Sequence, residues 1–123
     1  DRRLGNYFCL PDGAPGLVDG RTGQRGHWAH DVAYFVTGAL TVEDRRAHDR
    51  ELLDHYLGAL SAQGVDVPDD DEAWDDFRRH LVHGFTWMVC PTSMQPEDVC
   101  SANTQRFAAA IDDLDALSLL EHP

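Results

Sequence analysis

The chain has no lysine: its ten basic residues are all arginine. No side-chain ammonium can grip a phosphate or form a Schiff base within it. Positive charge is scarce in any form, ten residues against 22 acidic ones for a net charge of −12, which argues against nucleic acid or an anionic membrane as partner. No apolar run reaches the roughly 18 residues of a transmembrane helix, so no membrane is expected. No basic segment leads into an apolar one, so no signal peptide is expected either. The three cysteines (Cys9, Cys90 and Cys100) are too scattered for a disulfide framework. They point to a reducing, cytoplasmic compartment and to small buried apolar roles. The first residue is Asp1 rather than Met, which suggests a fragment or a processed product.

What is present suffices for one domain. The 123 residues are 42% hydrophobic and include three Trp, three Tyr and five Phe. Residues 1–31 are neutral, with four Asp against four Arg, so the whole charge of −12 falls on residues 32–123. Six of the ten glycines, at 5, 13, 16, 20, 23 and 26, crowd the neutral front and forbid a long helix there. Within it, two short apolar runs flank Pro11-Asp12-Gly13, which is turn chemistry. This predicts a β-hairpin with strands near 6–10 and 16–19, then an irregular loop over 20–29.

From Asp31 the period changes to that of a helix. Val32, Phe35, Val36, Ala39 and Leu40 form one apolar face, and Gly38 within it either ends the helix or allows close packing. Thr41 and Asp44 resemble a capping box that opens a second helix, closed by Gly64. Its core face is Leu53, Tyr56, Leu57 and Leu60, with Arg45/Asp49 and Arg50/Asp54 as ion pairs on the wet side. Asp69 or Asp70 caps a third helix whose stripe is Trp74, Phe77, Leu81, Phe85 and Met88, stopped by Pro91. Pro96 starts a fourth, with the stripe Val99, Asn103, Phe107, Ala110, Ile111, Leu114 and Leu117. The expected fold class is mainly α with a small N-terminal β-hairpin.

Chemistry concentrates at the front. Asp1 and Asn6 are five apart, and a hairpin then delivers Asp19. This is the layout of a phosphoryl-transfer loop, D-x-x-x-x-N, followed by a metal-binding aspartate. The first carboxylate accepts the proton of an attacking hydroxyl. An amide oxygen and a second carboxylate are hard ligands that suit Mg²⁺. Hairpin strands lie about 5 Å apart, close enough to bring residues 6 and 19 side by side.

The strings D-R-R-L-G-N-Y-F, L-V-D-G-R-T-G-Q-R-G and A-H-D-V-A-Y-F-V-T-G-A-L together resemble the second half of the aminoglycoside phosphotransferase-like small-molecule kinases, and most of all the branch with ecdysteroid and choline kinase-like proteins. By motif the resemblance covers roughly residues 1–40. It implies the C-terminal lobe of a protein-kinase-like fold, with a catalytic loop, hairpin and metal-binding loop over 1–30, a helical subdomain over 31–121, and the nucleotide-binding N-terminal lobe absent. It further implies a phosphotransferase that uses ATP and Mg²⁺ to phosphorylate a hydroxyl of a small-molecule acceptor, with the missing lobe of the same protein as partner and the fragment alone inactive. Position by position, Asp1 matches the catalytic base, Asn6 and Asp19 the metal ligands, and Asp31 a buried aspartate that opens the next helix and braces the catalytic loop. Gly20 and Arg21 stand where the family usually has an aromatic and an acid or Gln. The alternative is therefore a non-catalytic α-helical binding or interaction module derived from this family.

Other clusters have plainer readings. His27, His30, His80 and His83 invite a zinc reading, yet no C-x-x-C accompanies them and histidines three apart on a helix are common. The run Asp69-Asp70-Asp71-Glu72 lacks the alternate spacing of a calcium loop and reads as a solvated helix start. Trp74, Phe77, Phe85, Trp87 and Met88 read as core, with a pocket wall as the second reading.

Overall fold

A computed structural model describes residues 6–18, 25–89 and 92–121. Asp1, Asp19 and Cys90, together with Gly20 and Arg21, lie outside the described residues. The order is a two-stranded antiparallel hairpin, β1 (Tyr7–Cys9) and β2 (Pro15–Leu17), then α1 (Trp28–Ala39), α2 (Val42–Ala62), α3 (Asp70–Met88), α4 (Glu97–Asp113) and the single-turn α5 (Ser118–Glu121). The coarse class read from the sequence, mainly helical with one small hairpin, is what the chain adopts. No helix among the described residues is long and apolar enough to cross a membrane.

Local chemistry explains most boundaries. In the hairpin turn the Asp12 side chain accepts from the Ala14 amide at 3.0 Å, and Gly13 takes φ +83°, which its missing Cβ allows. Thr41 caps α2 by accepting from the Asp44 amide at 3.1 Å, while its hydroxyl donates to the Asp44 carboxylate at 2.8 Å. Asp69 caps α3 by accepting from the Glu72 amide at 2.9 Å. The end of α2 is a Schellman turn, with Gly64 at φ +80° and the Val65 amide donating to the Leu60 carbonyl at 3.2 Å.

Four expectations are corrected. Helix α1 starts three residues before Asp31, because the His27 ring nitrogen accepts from the Ala29 amide at 3.3 Å and provides the cap; Asp31 falls in the first turn and is exposed rather than buried. Arg45 and Asp49 do not face water. Arg45 is 2% exposed, donating to Asp49 at 3.1 Å and also to Asp113 of α4. Helix α4 ends at Asp113, not near Leu117, in a second Schellman turn where Asp115 (φ +48°) takes the place usually held by glycine. Arg78 secures that turn by donating to the Leu114 carbonyl at 2.6 Å and the Asp115 carbonyl at 3.0 Å. Of the cysteines expected in the core, Cys100 is buried but Cys9 is exposed.

The main core gathers Val32 and Val36 of α1, Leu53 and Leu57 of α2, Phe77 and Leu81 of α3, and Ala110 of α4. Phe107 of α4, fully buried, packs closely against Gly84 of α3 and reaches Gly38 of α1. A Cβ on Gly84 would meet its ring at 2.5 Å, and one on Gly38 would meet Met88 at 3.2 Å. Gly38 therefore allows close packing and does not end α1.

This makes opposite forecasts for Gly84→Ala. Helix propensity alone favours alanine by about 1 kcal/mol. The ring of Phe107 is fully buried, so overpacking outweighs propensity and the variant is expected to lose about 1–3 kcal/mol in denaturant unfolding. A variant more stable than the parent would show that the Phe107 packing is misplaced.

Candidate functional site

The hairpin register builds one lip of a cleft. Tyr7 pairs with Leu17, Phe8 with Gly16 and Cys9 with Pro15. The ladder runs one step further, since the Val18 amide donates to the Asn6 carbonyl at 2.8 Å. Phe8 lies across Gly16, where a Cβ would meet the ring at 2.2 Å, so the ring occupies the space a side chain would take. Tyr7 seats the hairpin on α1 through a ring contact with Phe35, centroids 5.0 Å apart.

Beside Asn6 opens a cavity of about 450 Å³. Helix α1 supplies Tyr34, Phe35, Gly38 and Ala39, the end of α3 supplies Met88, and Gln95 with Val99, Asn103 and Arg106 of α4 closes the far side. Its volume suits a small organic molecule. Three amide side chains and one guanidinium supply its polar contacts, and the rings of Tyr34 and Phe35 supply flat apolar surface. Apart from Tyr34 and Arg106 none of the lining residues ionises, and none is acidic.

Of the four residues singled out from the sequence, Asn6 is thus at the cleft and half-buried. Asp31 is on α1, and Asp1 and Asp19 lie outside the described residues. The register sets Val18 opposite Asn6, and Asp19, expected beside Asn6, lies outside the described residues. The cleft's α4 wall went unread. Its signal was Asn103, a polar residue inside an otherwise apolar stripe, with Arg106 as the lone basic residue after position 79. Trp87, expected in the core, is 66% exposed.

The four histidines do converge, at the start of α1 against α3. His27 stacks on His80 with centroids 4.6 Å apart, and His30 meets His83 edge-on at 4.5 Å. His27 Nε2 lies 3.3 Å from the Asp76 carboxylate. His80 Nδ1 is 2.8 Å from the Asp76 carbonyl, which can only accept, so that nitrogen carries the proton. Trp87 donates to His83 Nε2 at 3.0 Å, and His30 Nδ1 is buried with no hydrogen-bond partner. Among the described residues no group of three or more His, Cys, Asp or Glu is arranged to hold a metal ion. Among the described residues the cluster meets the cleft at Tyr34, whose ring lies 6.1 Å from that of His30.

No protein-family model, no curated protein and no solved structure matches the chain.

The imidazole cluster has a pH consequence. Burial, with His83 adding to it, pushes His30 below the ordinary imidazole range, against the pull of Asp31. Burial likewise lowers His80, against the Asp76 carbonyl that would raise it. Both rings bind protons more weakly in the folded chain than in the unfolded one. Stability is therefore full above the unfolded value of about 6.5 and is lost as pH falls below it. The melting temperature is expected to drop between about pH 7.5 and pH 5.5, and the double variant His30→Leu/His80→Gln to flatten that slope. An unchanged slope in the double variant would assign the effect to other groups.

Proposed function

We propose that this chain belongs to a phosphotransferase that uses ATP and Mg²⁺ to phosphorylate a hydroxyl of a small molecule, with the cleft beside Asn6 holding the acceptor. The observation that carries the reading is the place of Asn6, the residue of the motif that the structure describes beside a cleft. The Asp-to-Asn spacing and the later Asp19 are sequence features. The cleft supports the reading because Asn6 lines it directly.

In this reading the acceptor lies against Tyr34 and Phe35, with its hydroxyl turned toward Asn6. Asp1 takes the hydroxyl proton as the oxygen bonds to the γ-phosphorus and the bond to the bridging oxygen of ADP breaks. Asn6 would offer an amide oxygen and Asp19 a carboxylate to Mg²⁺. Bound Mg²⁺ supplies charge neutralisation on the β- and γ-phosphates. Asp31 acts on the loop that carries Asp1 rather than on the acceptor. The remaining lining residues exclude water and fix orientation, a contribution of several kcal/mol when a reaction depends chiefly on positioning.

The test uses Mn²⁺ as a paramagnetic stand-in for Mg²⁺. With Mn²⁺ and ATP added together, the backbone amides of Asn6 and Val18 are expected to broaden selectively. Asp19→Asn removes a full charge from the ion's surroundings and is expected to raise the concentration needed by about tenfold or more, equal to about 1.4 kcal/mol, with the melt unchanged. No broadening at the hairpin, or broadening indifferent to Asp19→Asn, would leave the non-catalytic helical module as the better reading.

A further inference from the structure

The described lining of the cleft has the opposite charge from the rest of the chain. Eighteen of the 22 acidic residues lie in the 32–123 segment that builds most of the cleft, yet none lines it. Its one formal charge is Arg106, half-buried on α4. The five arginines of α2 and α3 all have partners. Arg45 and Arg46 hold Asp113, Arg78 holds Asp75 and Arg79 holds Asp76. Arg50 lies over the Trp74 ring, 3.7 Å from its centre. Arg106 has no carboxylate partner among the described residues. One of its nitrogens donates to the Gly38 carbonyl at 2.6 Å, which pins the side chain to the floor of the cleft.

A half-buried guanidinium without a counter-charge among the described residues, in a chain this rich in carboxylates, is costly unless something else supplies the negative charge. Fixed by one bond, it keeps further N–H donors for a ligand, and a carboxylate matches their planar geometry. One guanidinium balances one negative charge, which favours a monoanion over a dianionic phosphate. The neighbouring amides of Asn6, Gln95 and Asn103 add neutral donors and acceptors, and the Tyr34 and Phe35 rings add a flat wall. Among the described lining residues a cationic amine would meet Arg106 and no carboxylate.

We propose that the cleft binds a ring-bearing hydroxyl compound that also carries a carboxylate, with Arg106 as its charge partner, and that it rejects cationic amino alcohols. The role of the hydroxyl rests on the phosphotransferase reading; the carboxylate preference does not.

The test is a titration of the 123-residue chain, without nucleotide, followed by amide chemical shifts. The probes are para-(hydroxymethyl)benzoate and para-(hydroxymethyl)benzylamine, the same alcohol with opposite charges, and inorganic phosphate. The benzoate is expected to shift Asn6, Tyr34 and Asn103 and to bind at least about tenfold tighter than the amine. Arg106→Gln is expected to erase that preference and Arg106→Lys to keep part of it, so the lysine variant still decides the matter if the glutamine variant does not fold. Equal or tighter binding of the amine, phosphate displacing the benzoate at equal concentration, or an undiminished preference in Arg106→Gln would overturn the proposal. Those outcomes leave the Mn²⁺–ATP experiment unaffected. Conversely, an absent Mn²⁺–ATP signal with the carboxylate preference intact would remove the phosphotransferase reading alone.

Discussion

The hairpin has little of its own to hold it in place. Its strands are three residues each, and a two-stranded ribbon is marginal in water without something to pack on. Phe8, Leu10 and Val18 all remain largely exposed, so they bring little burial. Its attachment is Tyr7, whose ring meets Phe35 on α1 at 5.0 Å. Because the register fixes Asn6 one step from Tyr7, whatever seats Tyr7 also seats Asn6. Phe35 in turn lines the cleft, so one ring contact joins the hairpin, the helix and the binding surface.

That contact is only as firm as α1, and α1 is held from two directions. Val32 and Val36 share the main core with α2 and α3. On the opposite side Phe107 sits between Gly38 and Gly84, so α1 and α3 approach α4 closely enough to form the cleft floor. The buried Arg45 ties α2 to the end of α4 through Asp113. Arg46 bonds the same carboxylate, and with help from Arg45 holds its pKa below the ordinary aspartate range. Removing one member of such a buried ionic group costs more than the pair contributes, because a charge is left without a partner. The helical frame is therefore stiff where the cleft needs it.

How much of this was legible in the sequence varied with the kind of signal. The two Schellman turns are instructive. The one after α2 has Gly64 in the left-handed position, and glycine announces it. The one after α4 has Asp115 there, and no local signal distinguishes that aspartate from its neighbours. Side-chain caps at Thr41 and Asp69 were readable because their geometry is local. The cap at His27 was not, because a histidine ring rarely serves and Asp31 was the more familiar candidate. Arg45 was placed in water by its spacing to Asp49, and only the tertiary arrival of Asp113 buries it. The same limit applies to the site. Asn6 stood out by its spacing from Asp1, whereas Gln95, Asn103 and Arg106 reach it only through the path of α4, which spacing does not encode.

The account turns on the hairpin being docked where it carries Asn6 to the cleft, and a double-mutant cycle on Tyr7 and Phe35 measures that docking directly. Tyr7→Ala, Phe35→Ala and the double variant would be unfolded in denaturant beside the parent. Docked rings predict a coupling of about 0.5–1.5 kcal/mol between the two substitutions. Losses that simply add, within about 0.3 kcal/mol, would mean that the rings do not meet and that Asn6 is not held at the cleft.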